Sequence, residues 1–130
     1  MKSVGTMQEP ITSVPEGEYD AILTGFDTVA MPHGDANRYE FRIDSDKVTD
    51  GRTVSGLTGT VLAENTKKGR WVSALLGRVP ELGENIDDSD ILNRPCRIVI
   101  VHKTDSKGIV RANVADVLPA APISDDDIAF

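Results

Sequence analysis

The stretch Asn65-Thr66-Lys67-Lys68-Gly69-Arg70-Trp71-Val72-Ser73-Ala74-Leu75-Leu76-Gly77 decides how the chain is read, because here the apolar period changes from 2 to that of a helix. Val72, Leu75, Leu76 and Val79 fall at i, i+3, i+4 and i+7, which draws one apolar stripe along a helix. Asn65 or Thr66 supplies an N-cap and Gly77 a C-terminal stop. Gly69 weakens the first turn, so the helix is expected to begin near Arg70.

On either side the pattern is that of strands. Upstream, Tyr19, Ala21 and Leu23 alternate with Asp20, Ile22 and Thr24 in a strand expected to reach Val29, and Gly25 within it suggests a bulge or bend. The turn-rich run Met31 to Asn37 ends it. In a second strand Tyr39, Phe41 and Ile43 share one face, and Arg38, Glu40, Arg42 and Asp44 share the other. After a polar connection, residues 52–62 read as a third strand, in which Gly56 and Gly59 permit strong curvature. Downstream, an acidic connection holds a helical turn near Asp88 to Leu92, capped by Asp87 or Ser89. Cys96 to Lys103 and Ile109 to Leu118 then form a hairpin around Thr104 to Gly108. Three strands, a helix and two strands is the order of an OB-fold, a five-stranded Greek-key barrel, so the expected class is all-β. Residues 1–16 read as a flexible or loosely docked arm, 17–118 as the barrel and 119–130 as a linker and tail.

Composition limits the function classes. A chain of 130 residues is one domain. The apolar share of 39%, taken together with the 11 glycines, is that of a globular protein. No apolar run is long enough to span a membrane and the first residues lack a secretory signal, so a soluble intracellular protein is expected. The single Cys96 makes no internal disulfide and reads as a small buried apolar residue. A net charge of -7 argues at first against nucleic acid. Eight of the 21 acids, however, lie in two places: Glu81, Glu84, Asp87, Asp88 and Asp90 in the acidic connection, and Asp125 to Asp127 at the end. The remaining 13 face 14 basic residues, which leaves the body near neutral and able to carry basic patches.

The end of the chain, Asp125-Asp126-Asp127-Ile128-Ala129-Phe130, combines three acids with two large apolar side chains. It resembles the tip of bacterial single-stranded DNA-binding proteins and of several bacteriophage replication proteins of the same role, commonly Asp-Asp-Asp-Ile-Pro-Phe, with Ala129 in place of proline. The opening Gly17-Glu18-Tyr19 and the close Val117-Leu118-Pro119-Ala120 are similar to phage members in a more diffuse way. The resemblance implies an OB-fold protein of the bacterial host cytoplasm that protects single-stranded DNA. It implies too that Asp125, Asp126, Asp127, Ile128 and Phe130 recruit proteins of replication, recombination and repair. The chemistry agrees: Ile128 and Phe130 can enter an apolar pocket while the carboxylates meet Lys or Arg around it.

Sequence-independent strand binding needs cations that follow phosphates and flat side chains for bases. On an OB-fold these are expected on strands 2 and 3 and on the loops joining strands 1 to 2 and 4 to 5. The phosphate candidates are therefore Arg38, Arg42, Arg52, Lys103, Lys107 and Arg111. Tyr39 is the stacking candidate, and Trp71, beside Lys67, Lys68 and Arg70, either caps the barrel or stacks on a base. Phe41 is expected in the core. Asp44, Asp46 and Asp50 match a calcium loop poorly, Gly56 to Gly59 is no phosphate loop, and neither His33 nor His102 has a nucleophile at a useful spacing. No catalytic activity, cofactor or metal is expected. Homo-oligomers are compatible with the sequence. The alternative to strand binding is an OB-like adaptor that acts through its tail alone.

Overall fold

Alternation along the first two strands builds the core. In the computed structural model, which describes residues 2–5, 14–44 and 51–120, Tyr19, Ala21 and Leu23 of β1 (Gly17–Met31) and Tyr39, Phe41 and Ile43 of β2 (Gly34–Ile43) are buried. The fold continues through β3 (Thr53–Thr58), α1 (Lys67–Leu76), α2 (Asp88–Ile91), β4 (Pro95–Thr104) and β5 (Val110–Pro119). The protein is mostly β, and its five strands form one antiparallel sheet in the order β3-β2-β1-β4-β5. The ten-residue helix α1 lies between β3 and β4 in the chain, as the periodicity predicts.

The outer strands β3 and β5 meet, which curls the sheet around its core. The meeting point is Gly56, where a Cβ would stand 2.9 Å from both the Cβ and the carbonyl oxygen of Val114 and 2.7 Å from Cη2 of Trp71. α1 packs on β5 and buries Trp71, Val72, Ala74 and Leu75.

Several boundaries differ from the sequence reading for local reasons. The β1–β2 pairing runs on to Met31↔Gly34, so the expected loop of seven residues shrinks to a tight turn at Pro32 and His33, with Gly34 at φ 123°. β3 ends at Thr58, where β2 still offers Asn37 as partner, and residues 59–62 lead away to the helix. α1 starts at Lys67, earlier than expected: Thr66 Oγ1 accepts the Gly69 N–H at 3.0 Å. Gly69 is needed rather than merely tolerated, because a Cβ there would run into the carbonyl oxygen of Ala63. Gly77, at φ 77°, ends the helix, so Val79 leaves the apolar stripe to which its spacing assigned it and is 55% exposed. The α2 turn is capped by Asp87, whose N–H donates to the Asp90 carboxylate at 2.8 Å.

Docking of the chain begins before Gly17. Val14 is buried, its carbonyl oxygen lies 2.7 Å from Nε2 of His102, and Tyr19 donates its hydroxyl to the Pro15 carbonyl at 2.7 Å. Cys96 is a free, buried thiol, pushed up to about 12 by burial and secondarily by the charge of Asp20. Among the described residues no helix is long and apolar enough to cross a membrane.

Candidate nucleic-acid interface

With Tyr39, Phe41 and Ile43 directed inward, pleating leaves Arg38, Glu40 and Arg42 on the outer face of β2. Arg38 lies between Asp27 of β1 and Leu57 of β3, Glu40 between Gly25 and Ser55, and Arg42 between Ile22 and Thr53. The two guanidinium groups spring from backbone positions about 13 Å apart along the strand. Both side chains are exposed and neither enters an ion pair among the described residues. Arg52 is half-buried just ahead of β3, its carbonyl accepting the Ile43 N–H at 2.8 Å. Strand 2 and the approach to strand 3 thus bring Arg38, Arg42 and Arg52 onto neighbouring chain segments.

The β4–β5 turn is organised by one carboxylate. Asp105 Oδ1 accepts the N–H groups of Lys107 at 2.8 Å and Ile109 at 2.9 Å, and Oδ2 pairs with Nε of Arg111 at 3.2 Å. The Ile109 N–H, followed by the Lys107 N–H and the Arg111 guanidinium, holds this carboxyl below its ordinary value. Arg111 is therefore partly neutralised by its own turn. Lys103 stands opposite Arg111 across the ladder and Lys107 is exposed at the tip, beside the half-exposed Ile109 and Val110. In the sheet this cluster is separated from that on β2 by β1.

The two stacking candidates are corrected by burial. Tyr39 and Trp71 are both 0% exposed, so neither ring has a face for a base. Tyr39 packs edge-on against Phe26 (5.1 Å between centroids) and Trp71 (4.9 Å), and its hydroxyl lies 3.0 Å from Oγ1 of Thr58. Burial pushes the phenol up to about 12, the Thr58 hydrogen bond acting in the opposite sense. Trp71 closes the core at the Gly56–Val114 contact, the capping role that the sequence reading held open, and Phe41 is buried as expected.

Other groups come forward that the sequence reading did not nominate. Phe26 is the one aromatic side chain not buried among the described residues. The bulge between Leu23 and Gly25 shifts the alternation of β1 by one residue, which turns Phe26 toward Tyr39. Lys68 Nζ lies 5.8 Å from the Phe26 ring and donates to the Thr60 carbonyl at 3.1 Å. Lys67 Nζ lies 4.8 Å from the centre of a Trp71 ring. The Lys67 ammonium is held below the ordinary lysine value, first by burial and then by the charge of Lys103; Arg70 adds to this and Asp116 opposes it. The signal for these cations was in the sequence, as three basic residues within four positions, but only the folded chain brings Lys103 to them.

The partner-binding residues Asp125, Asp126, Asp127, Ile128 and Phe130 lie outside the described residues. Among the described residues no group of three or more His, Cys, Asp or Glu side chains could hold a metal ion. In comparisons with known proteins, no family model and no curated protein matches the chain.

Proposed function

We propose that this protein is a single-stranded DNA-binding protein built on an OB-fold, serving replication, recombination and repair of DNA, of the kind bacteriophages encode, in the cytoplasm of a bacterial host. The observation that carries the reading is a combination in one chain. A five-stranded antiparallel sheet with a helix between strands 3 and 4, and outward arginines on strand 2 with no ion pair among the described residues, is followed by the terminus Asp-Asp-Asp-Ile-Ala-Phe.

In this reading Arg38, Arg42, Arg52, Lys103 and Lys107 follow the phosphates of a single strand, and Arg111 does so with the part of its charge that Asp105 leaves. With Tyr39 and Trp71 in the core, stacking is limited, and affinity is dominated by counterion release and falls steeply with salt. Binding is largely independent of base sequence because phosphates carry no sequence information. The acidic tip recruits partners through Ile128 and Phe130. It also competes with nucleic acid for the basic groups of its own molecule, where tethering gives it a high effective concentration.

Titration of a fluorescent oligo-dT at low and high salt, with the full chain and with residues 125–130 deleted, tests the proposal. The expected result is salt-sensitive binding that tightens on deletion, together with loss of partner capture. Absence of binding at low salt would overturn strand binding and leave an adaptor that works through its tail.

A further inference from the structure

Helix α1 opens in a way that does not serve its own stability. Its first turn carries Lys67 and Lys68 and no acidic residue, so two ammonium groups sit at the positive end of the helix dipole, where carboxylates are favoured. Arg70 follows at i+3 from Lys67, which puts both on one side of the helix. Lys103 at the end of β4 is near enough for its charge to disfavour that of Lys67, and among the described residues Asp116 acts in the opposite sense. None of Lys67, Arg70 and Lys103 enters an ion pair among the described residues, whereas Arg78, Arg97 and Arg111 each do.

The position of Lys67 is defined rather than loose. Its Nζ rests over the Trp71 ring at 4.8 Å, and Trp71 in turn touches Gly56 where β3 and β5 meet. A ring face occupies one side of an ammonium and leaves N–H donors on the other for an acceptor. Like charges gathered around a single opposing acid cost the folded state, and an extended anion that meets them recovers that cost.

We propose that Lys67 and Arg70 continue from Lys103 as a second phosphate-binding strip, which carries a single-stranded nucleic acid beyond the β2–β3 face and across the seam between β3 and β5. The strip rests on the reading that the protein binds single strands, and it makes the path longer than one sheet face.

Two double variants in the full chain test it, Lys67→Gln/Arg70→Gln on α1, the lysine variant, and Arg38→Gln/Arg42→Gln on β2, the arginine variant, each titrated with oligo-dT of about 6 and of about 30 nucleotides, one within and one beyond the site size of a single barrel. The lysine variant is expected to bind the short oligonucleotide like wild type. On the long one it should bind roughly tenfold more weakly at low salt, with a log–log salt slope shallower by about 1.4, the share of two phosphate contacts on a single strand. The arginine variant should lose affinity for both lengths. The lysine variant should unfold at a temperature equal to or above wild type, because like charges have been removed.

Wild-type affinity and slope of the lysine variant on the long oligonucleotide, while the arginine variant is weakened, would overturn the strip and leave the proposed function standing. A lowered unfolding temperature with an unchanged slope would also overturn it, by assigning Lys67 to the fold. Failure of the wild-type protein to bind either length at low salt would overturn the proposed function itself.

Discussion

The two faces of β2 carry the same backbone in two different solvents. Inward, Tyr39, Phe41 and Ile43 are completely buried, and Tyr39 and Phe41 join Phe26 and Trp71 in a set of edge and stacked ring contacts. Outward, Arg38 and Arg42 flank Glu40 and face water. Substitutions on the inner face therefore act on stability through packing. Those on the outer face leave stability nearly unchanged and act on whatever meets the charge. Aromatic residues that look like ligands for bases in the sequence turn out to be the wall against which the outer face is held rigid.

The sharpest break in that contrast is Trp71→Ala, which empties the closure of the core and is expected to cost about 3–5 kcal/mol in chemical denaturation. Trp71→Phe should cost less, because Nε1 of Trp71 is buried without a hydrogen-bond partner among the described residues and the smaller ring removes that donor along with part of the volume.

Gly56→Ala comes next. The added methyl group would press on the backbone oxygen of Val114, which cannot move aside as a side-chain tip can, so a loss of about 1–3 kcal/mol is expected in the same measurement.

Tyr39→Phe keeps the ring and removes the hydroxyl that meets Thr58, with an expected cost of about 1 kcal/mol. It also sharpens the comparison through pH. The fold favours the neutral phenol, whose value rises from 10.0 to about 12, so its contribution is complete below pH 10 and is lost as pH rises through about 12. Stability measured across that window should fall less steeply for Tyr39→Phe than for wild type, and equal slopes would contradict the buried phenol.

The smallest effect on stability belongs to Arg38→Gln/Arg42→Gln, expected within about 0.5 kcal/mol of wild type. The same variant should weaken oligo-dT binding and flatten its salt dependence. A large loss of stability without loss of binding would invert the contrast between the two faces.

Much of the site's scaffold could be read from the chain because it depends on local pattern. Period 2 placed Tyr39, Phe41 and Ile43 opposite Arg38 and Arg42, and period 3.6 placed Val72 and Leu75 on the buried side of a helix. Three things escaped that reading for physical reasons. The alternation of β1 slips at the bulge before Gly25, so Phe26 changes face, and the existence of a bulge does not fix its residue count. Gly69 scores as a poor helix former, yet its place is set by the carbonyl of Ala63, a contact that propensity does not contain. The burial of Tyr39 and Trp71 follows from their meeting each other and Gly56, which three separate elements contribute.

By itself the sequence determined the strand and helix order, the inward and outward faces of β2, a cap for α1 at Asn65 or Thr66 and its stop at Gly77, and the concentration of acid in residues 81–90 and 125–127. These are properties of neighbours along the chain, fixed by side-chain period, backbone freedom and composition. Tertiary structure alone decided that β3 meets β5 at Gly56 and Val114, that Tyr39 and Trp71 are consumed by the core, that Arg111 is held by Asp105, and that Lys103 comes near Lys67. Each of these depends on the curvature of the sheet, which brings together residues far apart in sequence and sets which charges meet acids.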